Sequence, residues 1–133
     1  MTAGGGRSPF CFRTQSTAVV RAIRPGIKES ELCGIAHKTA YDLGARIYSG
    51  VFVTSGPFAW PNPRDESDRM IRAGDILYMD TYNTSYLGYK TCVYRTFSCA
   101  KASQEAKDDY KLALEWLYDA INIIKPGVTT REV

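Results

Sequence analysis

Histidine is nearly absent from this sequence of 133 residues, where His37 is the only imidazole. It stands beside Lys38, off the apolar stripe of a helical pattern, and reads as a surface residue. The sequence therefore offers no imidazole to act as a base or a metal ligand. Long apolar runs are also missing: none approaches a membrane span, and residues 1–23 lack the uninterrupted core of a signal peptide. A cytoplasmic location with no membrane partner is expected. Blocks of one charge are absent too, since 17 basic and 14 acidic residues are interspersed and leave a net charge of +3, which excludes an electrostatic footprint for nucleic acid. Cys11, Cys33, Cys92 and Cys99 form no C-x-x-C pair, so reduced thiols are the expectation. Cys33 and Cys99 read as small buried hydrophobes.

A hydrophobic content of 44% with 23% charged residues is an ordinary globular balance, enough for one modest core. Residues 1–17, rich in glycine and polar groups, show no period and are expected to be irregular or disordered. A helix is expected from about Lys28 to Ala45, where Leu32, Ile35, Ala36, Thr39, Ala40 and Leu43 recur at helical spacing and Gly44 can end it. Ile47 to Thr54 reads as a strand, and the prolines and glycine of residues 55–63 as a loop. The clearest helix lies between Ser103, a fitting N-cap, and Ile124. Its apolar positions are Ala106, Tyr110, Ala113, Leu114, Leu117, Ile121 and Ile124, with Trp116 and Tyr118 expected to broaden the buried face.

Arg24-Pro25-Gly26-Ile27 has a counterpart in Lys125-Pro126-Gly127-Val128, an offset of 101 positions (24 to 125). In both copies an amphipathic helix ends on a cation, a Pro-Gly turn follows, and a second helix starts with polar residues. Two copies of one supersecondary unit are read here. By that symmetry about another hundred residues are expected to follow Val133. Residues 18–133 would then be the first of two halves, stopping at the start of the second.

The chemistry concentrates at Asp80 and Cys92. Ile76, Tyr78 and Asp80 alternate onto one face of a strand, as do Lys90, Cys92, Tyr94 and Thr96. If the two segments pair as a hairpin, the carboxylate and the thiol point the same way. Asn83, Ser85 and Gly88 suggest a polar connection longer than a two-residue turn. Phe58 and Trp60, on a proline-rich loop, suit either the wall of a substrate pocket or ordinary loop packing, and Tyr82 joins them as a candidate substrate-binding residue. Arg95, inside a strand, needs an acidic or carbonyl partner if buried, and a structural ion pair is expected ahead of a substrate contact.

Several of these features resemble the pita-bread superfamily of methionine aminopeptidase, aminopeptidase P, prolidase and creatinase. Asp80 fits the first metal-binding aspartate of those enzymes. Gly88, Tyr89, Arg95 and Thr96 fit the frame around the second, and Cys92 occupies its place. Ser55-Gly56-Pro57, Asn62-Pro63 and Gly74-Asp75 match as well. The resemblance implies an α+β pita-bread fold, here the first of two pseudo-symmetric halves, with an antiparallel curved sheet backed by helices. It implies a hydrolase of the Xaa-Pro aminopeptidase or creatinase kind, acting on a C–N bond of a small peptide or amide and dimeric when full length. Arg95 and Tyr89 carry over as structural residues.

The implied cofactor is a divalent metal such as Mn, Co or Zn, with Asp80 and Cys92 as candidate ligands. The remaining ligands and the catalytic groups would lie in the second half. Cys92 exchanges two hard oxygens for one soft sulfur, which favours zinc or no metal over manganese. The metal centre is therefore read as altered. Creatinase, a metal-free relative, has a histidine before its Asn-Pro pair, where this sequence has Pro61, so its acid–base chemistry does not carry over. The alternatives are a metal-free hydrolase or lyase, and a binding protein that kept the fold.

Overall fold

A computed structural model describes residues 3–59 and 64–133, with the side chains of residues 3–9 left aside. The chain divides into two units, residues 1–101 and 102–133. In the first, helices α1 (Ala3–Ala22) and α2 (Glu29–Asp42) precede strands β1 (Arg46–Ser55), β2 (Ile76–Tyr86) and β3 (Tyr89–Ser98). The strands form one antiparallel sheet in the order β1-β2-β3.

Alternation explains how the sheet is buried. Leu77 and Met79 of β2, with Val51 and Val53 of β1, face a core completed by Val19 of α1 and by Leu32, Cys33 and Ala36 of α2. Deleting one of the larger of these side chains would cost about 2–5 kcal/mol. The opposite face carries Phe52, Tyr78, Asp80, Tyr82, Cys92 and Tyr94, on the side of the sheet away from α1 and α2.

Residues 3–17, expected to be irregular, are helical. Cys11, Phe12, Gln15 and Val19 make a buried stripe on α1, and the Gln15 side-chain amide donates to the Ala36 carbonyl of α2 at 3.2 Å. Contact with α2 and the sheet holds a segment whose glycines weaken its intrinsic helicity. A second correction concerns the β2–β3 connection. It is a two-residue turn, Leu87-Gly88, with both residues at positive φ (49° and 87°), as a primed hairpin turn requires. The polar residues expected in a longer loop belong to β2, where Asn83 adopts φ 52° at a bulge and donates to Ser49 Oγ at 3.0 Å.

In the second unit, α3 (Gln104–Ile123) begins at Ser103, whose hydroxyl accepts the Ala106 N–H at 3.1 Å. No residue of α3 is buried, Trp116 and Tyr118 included, since a helix and a turn supply no second layer within that unit.

The repeat is visible in backbone detail. Ile27 N–H donates to Arg24 O and Val128 N–H to Lys125 O, while Gly26 and Gly127 have φ of 89° and 94°. Glu31 then accepts the Lys28 N–H, and Glu132 the Thr129 N–H, both at 2.8 Å. Each pair of features is again offset by 101 positions (28 to 129, 31 to 132).

Candidate functional site

Cross-strand pairing places Asp80 opposite Phe52 on β1 and Tyr94 on β3. Cys92 lies two residues from Tyr94 on the same face, so the carboxylate and the thiol share one side of the sheet. Their surroundings differ: Asp80 has no solvent-accessible surface, whereas Cys92 is exposed. Tyr78 and Tyr94 stack with centroids 5.9 Å apart, and Phe52 meets Tyr82 edge to face at 5.8 Å. Four aromatic rings thus surround the position of one acid.

Among the described residues neither Asp80 oxygen has a hydrogen-bond partner, and no Lys or Arg forms an ion pair with it. Burial pushes the carboxyl up from 3.8 to about 6, opposed by the nearby Tyr78 hydroxyl, which stops short of hydrogen-bond geometry. Burial and the Asp80 charge raise the Tyr78 phenol to about 12 in turn. The Tyr94 phenol is raised beyond the normal tyrosine range by the nearby Tyr82 hydroxyl, and then by the charge of Asp80.

A depression of about 300 Å³ adjoins this cluster, lined by Ser49, Phe52, Arg64, Asp65 and Tyr82. Tyr82 thus lies at a pocket wall. Phe58 is half exposed beneath the Arg64 guanidinium, 4.6 Å from its ring centroid. Trp60, Pro61, Asn62 and Pro63 lie outside the described residues. Tyr89 is partly exposed at the start of β3, opposite Tyr86.

Arg95 corrects an expectation. It is exposed and has no acidic partner among the described residues; its guanidinium lies 5.1 Å from the Phe12 ring centroid and donates to the Tyr94 carbonyl. A long side chain on the helix-covered face can tie β3 to α1 through a ring without a counter-ion. His37 is half-buried, with Nδ1 2.9 Å from the Cys33 carbonyl one turn back.

Glu29, which sequence reasoning passed over, organises the loop beside the site. Fully buried in the first turn of α2, its Oε1 accepts the Ser55 N–H at 2.8 Å and the Ser55 hydroxyl at 2.7 Å. Its Oε2 accepts the Ser67 N–H at 3.1 Å, the Ser67 hydroxyl at 2.7 Å and Arg64 Nη2 at 3.3 Å. Arg69 pairs with Asp75 at 2.7 Å and donates to Ser55 Oγ. Gly56, at φ 58°, packs so tightly against that pair that a Cβ would stand 2.6 Å from Arg69 Nη2. An acid in the first turn of a helix, with one serine at the end of a strand and another on the loop that follows, was the available signal, but only the tertiary fold joins them.

Metal binding can be tested on these donors. Among the described residues no group of three or more His, Cys, Asp or Glu is placed to hold an ion. One covered carboxyl group and one exposed thiol do not fit a carboxylate-bridged metal pair.

The comparisons with known proteins agree with the fold. A probable dipeptidase PepE of Mycobacterium tuberculosis is 28% identical over 109 residues, covering 82% of this chain and 29% of its own length. The crystal structure of an X-Pro aminopeptidase from Thermotoga maritima superposes with a TM-score of 0.84 at 26% identity, covering 95% of this chain and 36% of that one. A variant of Escherichia coli aminopeptidase P gives 0.81 at 28% identity, over 94% and 29%. The chain therefore spans about a third of the length of these relatives. The description "Metallopeptidase family M24" matches residues 14–133, almost the whole sequence. With its pita-bread neighbours and this match, the chain belongs to metallopeptidase family M24.

Proposed function

We propose that this chain is the first half of a catalytic domain that hydrolyses a C–N bond in a small peptide or amide, as Xaa-Pro aminopeptidases and creatinase do. Its metal centre is altered, holding one zinc or none. The observation that carries this reading is the buried Asp80 carboxylate, without a hydrogen-bond partner among the described residues, on the same face of the sheet as Cys92, which stands where the resemblance puts a second aspartate. Similarity to a probable dipeptidase and to X-Pro aminopeptidases supports the substrate class.

In this reading Asp80 holds charge or a proton at the floor of the site, since a carboxyl raised to about 6 exchanges its proton near neutrality. Phe58, Trp60 and Tyr82 wall the substrate, and Glu29 fixes the Ser55–Gly56 corner that carries the loop. The groups that attack the carbonyl are supplied by residues beyond Val133. The whole protein is read as a cytoplasmic homodimer.

The test is turnover by the full-length protein, offered Xaa-Pro dipeptides and creatine-like amidines with and without chelator. Cleavage of at least one of these substrates is expected, surviving chelation if the centre holds no metal and lost to it if the centre holds one zinc. Absence of turnover on every such substrate would leave a binding protein and end the hydrolase reading.

A further inference from the structure

A fully buried carboxylate with neither oxygen hydrogen-bonded is costly, and folded proteins keep such groups where something else supplies the missing charge. At Asp80 that something is not a side chain of the described structure. Arg95 and Lys90 of β3 and Arg64 of the loop before β2 are engaged elsewhere: Arg95 with the Phe12 ring, Lys90 with the Tyr48 ring at 5.6 Å, and Arg64 with Glu29. The described residues also offer a hard divalent ion little, because the walls they supply beside Asp80 are phenyl and phenol rings and one thiol rather than carboxylates.

Aromatic faces around an uncompensated carboxylate suit a different cation. Ring quadrupoles attract a weakly hydrated organic ammonium, while a small metal ion loses too much hydration energy against them. Phe52 and Tyr94 flank Asp80 across the sheet, and Tyr78 and Tyr82 flank it along β2. Phe52 and Tyr82 also line the adjoining depression with Ser49, Arg64 and Asp65, which leaves room for a polar remainder of a ligand. Tyr94 is half exposed, so its ring borders solvent at the edge of the cluster.

We propose that the Asp80 face binds the cationic nitrogen of an alkylated ammonium substrate, with Asp80 as its counter-charge and Phe52, Tyr78, Tyr82 and Tyr94 as its walls. This rests on the altered metal centre proposed above, and it names the class of group the site recognises.

Choline, and its neutral isostere 3,3-dimethylbutan-1-ol, would be titrated into the full-length protein in EDTA, with binding followed by calorimetry. Choline is expected to bind saturably and about tenfold more tightly than the alcohol. Asp80→Asn should abolish that preference, and Tyr94→Leu, at an exposed position, should weaken choline about fivefold without loss of fold. Equal affinity for both ligands, no saturable choline binding, or a preference that survives in Asp80→Asn overturns the proposal. Choline preference without turnover would refute the hydrolase alone. Turnover without choline preference would refute the cation site alone.

Discussion

Replacing Glu29 with Gln tests whether one buried carboxylate holds the corner between β1 and α2. The carboxylate accepts five hydrogen bonds, from two backbone N–H groups, two hydroxyls and one guanidinium. In Glu29→Gln one oxygen becomes an NH2 that must face either the Ser55 or the Ser67 N–H. A hydroxyl can rotate to accept from the new amide, but a backbone N–H cannot. One buried donor is then left facing another donor, at a cost of about 1–3 kcal/mol. Loss of charge from the surviving bonds adds about 1 kcal/mol; the part due to Arg64, about a third exposed, is small. The expected destabilisation is about 3 kcal/mol. Urea unfolding of the full-length protein, followed by circular dichroism, would measure it. Asp42→Asn, which removes an exposed i,i+4 pair with Lys38, serves as the control and should cost under about 0.5 kcal/mol. A Glu29→Gln loss as small as that of the control would refute the reasoning.

Asp80→Asn should change the pH dependence of stability. The folded carboxyl sits near 6 against an ordinary 3.8, so its favourable contribution is full below about pH 3.8 and is lost as pH rises through 6. The Asn variant should therefore gain on the wild type above pH 6, by at most about 3 kcal/mol and by less where solvent screens the thinly covered face. Unfolding curves at pH 4 and pH 7.5 report the difference, and equal gaps at both would contradict it. Gly56→Ala should cost more than about 2 kcal/mol, since it combines a left-handed φ with a Cβ 2.6 Å from Arg69 Nη2; a Tm within a few degrees of wild type would show that the corner yields. Thiol labelling of the native protein should modify Cys92 first, because Cys11, Cys33 and Cys99 are buried and burial pushes the Cys33 thiol to about 12. Mass-mapped labelling of Cys33 or Cys99 at the rate of Cys92 would contradict the burial.

Periodicity and motif made much of this fold legible. Alternation in Ile76–Asp80 and Tyr89–Phe97 gave the hairpin and the shared face of Asp80 and Cys92, because register follows from which side chains seek the core. The Pro-Gly turns at Gly26 and Gly127 were readable because positive φ restricts the residue type. Helix α1 was not, since its stripe of Cys11, Phe12, Gln15 and Val19 includes a polar residue whose burial depends on the Ala36 carbonyl of another helix. The bulge at Asn83 was mistaken for loop, as an asparagine at positive φ carries the same local signal in either setting. The ion pair expected for Arg95 failed because strand parity points its side chain at α1, where Phe12 serves as partner. The Glu29 hub joins residues up to 38 positions apart, so no local pattern could announce it.

The central claim is that Cys92, in place of a second carboxylate, leaves the Asp80 face unable to hold a bridged metal pair. Metal content of the full-length protein, reconstituted with manganese or zinc and desalted, tests it most directly beside Cys92→Asp. At most one equivalent in the wild type, rising in the variant, is the predicted result; two equivalents retained by the wild type would contradict the account.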